Sequence, residues 1–357
     1  IVRSFENTSR KQTDGELGSI AVSTCTFASF ARQFRSNPDW AASRFRAGEW
    51  LVDFLCLIPI QIAITHKSRF IPLNDGVLLE KPEPEQMQAE ASRGQGEALR
   101  HAVDRVEDGL SLGWYESIFQ SYWSSKPVKV ISSMGEQSVG KSFALNHLVD
   151  SAFAGSAMRT TDGVWMSLSL TDDAVIVALD FQGELDPTWV QSPEHSDQED
   201  MLLVLFSTAI SNLVLFRNDF ALTRDITGLF KPFQLSASIL DPSSNPSLFQ
   251  STLVVIIKDV TDSDRDEVTK EFSLTLEKLV EERGYNFITH LHRGGHNIIP
   301  WPAIESKEFY TLFGSIKQRL DQQPTSHQSA RQFLHTLKIL MAELKVCLRF
   351  LSAYVTY

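Results

Sequence analysis

Eight consecutive residues carry the most specific chemistry in the chain. Gly135, Glu136, Gln137, Ser138, Val139, Gly140, Lys141 and Ser142 fit the pattern G-x-x-x-x-G-K-[ST]. In such a run successive backbone N–H groups converge on phosphate oxygens, and the two glycines permit a tight backbone that a side chain would obstruct. Lys141 is expected to reach the β- and γ-phosphates, and the Ser142 hydroxyl to hold Mg²⁺. A helix opening through Phe143 adds the partial positive charge of its unsatisfied N–H donors.

Three further groups extend that chemistry. Asp180 ends an apolar stretch and is followed by Phe181, Gln182 and Gly183. A carboxylate at the end of a buried strand suits Mg²⁺, and the Gly183 N–H is placed to sense a γ-phosphate. Thr160 and Thr161 stand in a loop before the next strand, where a threonine hydroxyl serves as a γ-phosphate and Mg²⁺ sensor; the residues alone leave the choice between them open. Lys258 and Asp259 close another apolar run. A carboxylate there can accept hydrogen bonds from N1 and N2 of guanine, which adenine cannot donate, while the Lys258 stem lies along the base. The ordinary guanine motif [NT]-K-x-D does not stand here, and by itself the pair also reads as a carboxylate at a helix start.

The elements that must position these groups alternate between strand and helix. Residues 128–131, 164–170, 174–179 and 252–257 are apolar and rich in β-branched side chains, which predicts strands. Residues 143–148 have helical spacing, and 201–216 read as a buried helix running into a strand. This order predicts an α/β domain with a mostly parallel sheet flanked by helices on both faces. Residues 185–200 are acidic and poor in apolar periodicity, fitting a switch that orders on a ligand; 235–250 read as a surface connection and 268–282 as an amphipathic outer helix.

The flanks carry no chemistry of this kind. Residues 1–126 read as a mainly helical leader: 27–45 at helical spacing, 50–65 as a buried helix kinked at Pro59, and 88–109 as a charged surface helix with Leu99, Val103 and Val106 as its apolar stripe. Trp114, Tyr115, Phe119, Tyr122 and Trp123 are expected to pack the leader against the domain that begins at 127. That domain is read as 127–321, a linker follows around 321–327, and 328–357 form a C-terminal helix. His290, His292 and His296 flank two glycines with no neighbouring carboxylate or thiol, and read as a loop rather than a metal cluster.

Composition bounds the partners. Against 33 basic residues stand 44 acidic ones, a formal net charge of −11, which disfavours nucleic acid and anionic membranes. The three cysteines, Cys25, Cys56 and Cys347, are few and odd in number, as expected of thiols in a reducing, cytoplasmic setting. No apolar run reaches the ~18 residues that suggest a transmembrane segment. The chain opens on Ile1, which reads as a fragment of a longer protein.

With these motifs in view, Thr161, Gly163, Val164, Trp165 and Met166 resemble the T-x-G-[IV]-W-M switch of guanylate-binding proteins, and Lys258-Asp259 resembles their short basic-Asp motif. Over roughly 128–320 the chain is similar to the G domain of the very large inducible GTPases, within the dynamin superfamily. The resemblance implies a P-loop NTPase fold of the Ras-like large GTPase kind, GTP as substrate, Mg²⁺, and a homodimer formed through the G domain. It also singles out Thr161 as the switch threonine. Guanylate-binding proteins carry an arginine finger inside the phosphate loop where Ser138 stands here. Gln137-Ser138 instead resembles the dynamin loop, in which this pair helps place the attacking water and a monovalent cation supplies the missing charge. Phe181 is bulkier than the residue relatives carry, which bears on turnover more than on binding. The implied reaction is in-line attack of water on the γ-phosphate. A guanine-nucleotide-binding scaffold without turnover and a P-loop ATPase are the alternative readings.

Overall fold

The computed structural model describes residues 52, 54–66, 69–78, 95–135, 139–153, 163–171, 173–181, 193–219, 249–281, 292 and 295–354. The chain divides into two units, Ile1–Ile58 and Pro59–Tyr357. The described part of the first is a helical turn, with Leu57 N–H donating to Phe54 O and Ile58 N–H to Leu55 O, each at 3.2 Å. The rest of the fold concerns the second unit.

An eight-stranded sheet organises that unit. Its strands are β1 (Ile60–His66), β2 (Arg69–Pro72), β3 (Val128–Gly135), β4 (Val164–Leu170), β5 (Val175–Phe181), β6 (Leu213–Asp219), β7 (Thr252–Lys258) and β8 (His296–Pro300). They lie in the order β2-β1-β4-β5-β3-β6-β7-β8. From β5 to β8 every neighbouring pair is parallel. On the other side β4, β1 and β2 form an antiparallel wing. The inner parallel strands are buried on both faces, which is why they read as continuous apolar runs; all seven residues of β5 are buried, whereas β8 at the sheet edge is partly exposed.

Helices cover both faces. On one, α3 (Lys141–Val149) and α6 (Thr311–Gln322) close a core of Leu145, Leu148, Phe313 and Ile316 over Ile131, Leu215 and Val254. On the other, α4 (Pro193–Ile210) buries Met201 through Ile210, and its Ser207 hydroxyl meets that of Ser132 at 2.7 Å. The helix α1 (Gln95–Gly109), the short α2 (Trp114–Ser117) and the π-helical stretch Ile118–Tyr122 pack with α7 (Ala330–Tyr354). The amphipathic α5 (Arg265–Glu281) turns Val268 and Phe272 inward.

Two expectations change. Residues 50–65 do not form one kinked helix: after a helical turn at 54–56 the chain runs into β1. Pro59 cannot donate within a helix, and Ile60, Ile62 and Ile64 are stiff β-branched residues that suit a pleated surface, so the proline stops the helix. The stretch read as a helical leader therefore lends two strands to the sheet. Phe119 of the aromatic cluster, in turn, packs on the C-terminal helix, set edge-on to Phe333 at 5.3 Å. Lys338 of α7 donates to Leu110 O at 2.7 Å and pairs with Glu116 at 2.6 Å.

The expected linker is strapped to the sheet. Val128 N–H donates to His327 O at 2.9 Å, and Asn212 Nδ2 donates to Pro324 O at 2.9 Å. His327 is buried, and desolvation lowers its pKa to about 4.

Candidate nucleotide-binding site

The C-terminal ends of β3, β5, β6 and β7 converge on the loop that joins β3 to α3, where open parallel sheets place their ligands. Gly135 ends β3 at φ 126°, paired with Arg217 of β6. A Cβ at 135 would stand 2.0 Å from Arg217 O and 2.8 Å from Arg217 N, so the neighbouring backbone admits no side chain there. Gly140, at φ 81°, turns the chain into α3 in the left-handed conformation glycine adopts without cost. Val139 is buried beneath this turn. Glu136, Gln137 and Ser138 lie outside the described residues, as do Thr160, Thr161 and Gly183.

Lys141 begins α3 only 7% exposed, and its Nζ donates to Gly135 O at 3.3 Å. The ammonium thus folds back across the loop toward the end of β3, while the first N–H groups of α3 form an anion-attracting helix terminus. Ser142 Oγ donates to Asp180 Oδ2 at 2.5 Å. Asp180 is 1% exposed near the end of β5, in register with Ser133. A hydroxyl and a carboxylate brought together here are hard oxygen donors of the kind Mg²⁺ takes.

Phe181 points the other way. Successive side chains alternate across a strand, and Phe181 is buried against Phe206 of α4, with ring centroids 6.1 Å apart. Its bulk is absorbed by the core on the face opposite Asp180. The Phe143 ring likewise serves packing, 4.1 Å from the His147 ring and 6.2 Å from that of Phe309; what residue 143 can offer a phosphate is its N–H. Gly163 has a structural reason of its own: a Cβ there would lie 2.3 Å from Ala63 O of β1.

Lys258 and Asp259 stand at the end of β7 and just past it, with Nζ to Oδ2 at 2.9 Å and the Asp259 side chain 45% exposed. Asp259 sits at φ 57°, and the turn is locked where Trp301 N–H donates to Ile257 O at 2.7 Å and Val260 N–H to Trp301 O at 3.0 Å. The carboxylate is therefore held at the sheet end while remaining open to solvent. His292 is buried, its Nδ1 2.8 Å from Ser251 Oγ; desolvation and the neighbouring His296 lower its pKa to about 3. His290 lies outside the described residues. Among the described residues no three His, Cys, Asp or Glu side chains gather as a metal site.

Arg217 escaped sequence reasoning. It is 2% exposed, and its Nε donates to Val139 O at 3.2 Å. Desolvation lowers its pKa to about 10, against the charge of Asp259, which raises it. The signal that could have found it was a cation at the end of an otherwise apolar run, Leu213 to Phe216, in a buried strand.

No family model matches the chain. A segment of 114 residues is 33% identical to interferon-induced very large GTPase 1 of Homo sapiens, covering 30% of this chain and 5% of that protein. The chain thus spans a small fraction of that relative's length. Among solved structures, Aquifex aeolicus Era Y63A bound to GDP·AlF₄⁻ is similar at 17% identity over 56% of this chain and 57% of that one, with a TM-score of 0.34. An Era complex with MgGDPNP and a 16S ribosomal RNA segment gives 17% identity over 56% and 58%, with a TM-score of 0.33. Elongation factor SelB from Methanococcus maripaludis gives 15% over 56% and 35%, with a TM-score of 0.32. Among the described residues no helix is long and apolar enough to cross a membrane. The strand order makes this a mixed α/β protein, its sheet mostly parallel and flanked by helices.

Proposed function

We propose that this chain binds GTP with Mg²⁺ and hydrolyses it to GDP and phosphate by in-line attack of water. The observation that carries the reading is one meeting of three segments: Lys141 Nζ against Gly135 O, and Ser142 Oγ against Asp180 Oδ2. A cation, a helix terminus and a hard oxygen pair at one sheet end suit a metal-bound polyphosphate. The segment shared with a very large GTPase supports the same reading.

The roles follow from the residue types. Lys141 and the N–H groups from Glu136 to Phe143 stabilise the charge that spreads over the γ-phosphoryl oxygens. Ser142 and Asp180 would hold the metal, with Thr161 as a further ligand. Held by these oxygens, Mg²⁺ would supply neutralisation of the phosphate charge. Gln137 and Ser138 position the water, with a monovalent cation in place of an arginine finger. The Gly183 N–H reports the γ-phosphate. Asp259 selects guanine through N1 and N2, with Lys258 alongside. Two copies associate through the nucleotide-bearing face, in the cytoplasm; the net charge of −11 argues against nucleic acid as a partner.

The test is GTP turnover against protein concentration, with ATP and Lys141→Ala as controls. A rate per molecule that climbs with concentration, requires guanine and vanishes in the variant supports a dimerising GTPase. Tight GTP binding without turnover at any concentration makes the chain a nucleotide-dependent scaffold instead.

A further inference from the structure

The nucleotide reading does not use Arg217, yet this is the most unusual charge in the described structure. It stands in β6 beside Gly135, 2% exposed, with an apolar strand before it. A buried guanidinium is costly unless paired and fully hydrogen-bonded. Its Nε donates to a neutral acceptor, Val139 O, at 3.2 Å. Its Nη1 has no hydrogen-bond partner among the described residues. Asp259 acts on it electrostatically, but that carboxylate is largely exposed and already pairs with Lys258 at 2.9 Å.

Its surroundings bind it to the phosphate loop. The guanidinium carbon stands 5.5 Å from the centroid of the Trp301 ring. On the loop side, Nη2 would lie 3.8 Å from a Cβ placed on Gly140, the residue that opens α3. The group is thus held between an aromatic face and the backbone whose N–H donors form the anion site. Desolvation takes its pKa only to about 10, so it stays charged at neutral pH. Among the described residues near the loop, the buried charged side chains are Lys141, Arg217 and Asp180. In a low-dielectric setting that excess of cations favours a polyanion above the loop.

We infer that Arg217 is a positioning residue of the phosphate site, bracing the loop through Val139 O and lending it a fixed buried positive charge. The inference rests on the nucleotide reading above and adds to it a prediction specific to charge. Loss of Arg217 weakens binding in proportion to the number of phosphates, whereas simple loosening of the loop weakens all nucleotides alike.

The experiment measures GMP, GDP and GppNHp affinities by competition against a fluorescent guanine nucleotide, using the full chain with Arg217→Met and Arg217→Lys. Arg217→Met is expected to weaken GppNHp by about ten- to hundredfold, GDP less, and GMP by about twofold or less, as charge-assisted contacts would. Arg217→Lys keeps the charge and restores the affinities toward wild type, the triphosphate analogue most. An equal loss for all three nucleotides, or no loss, overturns the inference while leaving the nucleotide site intact. If Arg217→Met does not fold, Arg217→Gln against Arg217→Lys decides by the same ratios. A wild-type chain that binds none of the three overturns the nucleotide reading, and this inference with it.

Discussion

The Ser142 hydroxyl donates to Asp180 at 2.5 Å, joining the first turn of α3 to the end of β5 across 38 residues of sequence. This contact turns two separate motifs into one site, and it is the first to test. Asp180→Asn keeps the shape but removes the charge that a divalent ion needs. Its affinity for GDP is expected to become nearly insensitive to EDTA, with Mg²⁺ affinity down roughly ten- to hundredfold. Calorimetric titration with and without Mg²⁺ measures it. An undiminished metal response would remove Asp180 from the site.

The glycines at 135 and 314 should respond in opposite directions. Gly135→Ala sets a Cβ 2.0 Å from the Arg217 carbonyl, at a φ that disfavours side chains, and should cost on the order of 3 kcal/mol of stability. Gly314 lies in α6, and a Cβ added there would meet nothing within 4 Å, so Gly314→Ala should stabilise by about 0.5–1 kcal/mol. Urea unfolding of the two variants, compared with wild type, checks both signs.

Asp259→Asn exchanges an acceptor-only carboxylate for an amide that also donates. Guanine, with donors at N1 and N2, should bind roughly a hundredfold more weakly, and xanthine, which offers a carbonyl at C2, should gain. Competition between GDP and xanthosine diphosphate reads the exchange. Equal affinities before and after the substitution would place the base elsewhere.

By the sequence resemblance, Ser138 corresponds to the loop arginine finger of guanylate-binding proteins. If a monovalent cation supplies the charge there, turnover should rise with K⁺ at constant ionic strength and fall in Ser138→Ala by roughly tenfold or more. Potassium-independent turnover, undiminished in that variant, would refute the dynamin-like solution.

Stability should fall in mild acid through His292. Burial lowers its folded pKa to about 3, while the unfolded chain titrates near the ordinary value of 6.5. Above about pH 6.5 both states are neutral there and the histidine contributes no pH dependence. Below it the unfolded state takes up a proton that the folded state refuses, so stability drops until the folded pKa is passed. His327, lowered to about 4, adds a loss of the same sign. Each histidine contributes up to about 1.4 kcal/mol per pH unit inside its window. Urea midpoints from pH 7.5 to 4.5 should show a shallower decline in His292→Gln.

The step from β3 through the glycine-bounded motif into α3 was legible because its pattern is local. Glycine spacing, Lys141 and Ser142 fall within eight residues, and the apolar runs on either side announce a strand and a helix. Asp180 was legible for a related reason, since it ends an apolar run whose burial the composition already implied. Residues 50–65 were misread because a short apolar run with one proline fits a kinked helix as well as a helix stop followed by a strand. Only partners decide between them, and β1 finds its partners in β2 and β4.

By itself, then, the sequence determined the α/β alternation, the glycine-bounded step from strand β3 to helix α3 and the carboxylates at the strand ends, because each depends on residue type and spacing over a few positions. The tertiary structure alone decided which of these face one another. It turned Phe181 into the core and Asp180 toward Ser142. It made Gly135 obligatory through the backbone of β6 and set Arg217 against Val139, 78 residues away. Contacts across such separations depend on strand order and register, which a packed sheet settles as a whole and no local pattern encodes.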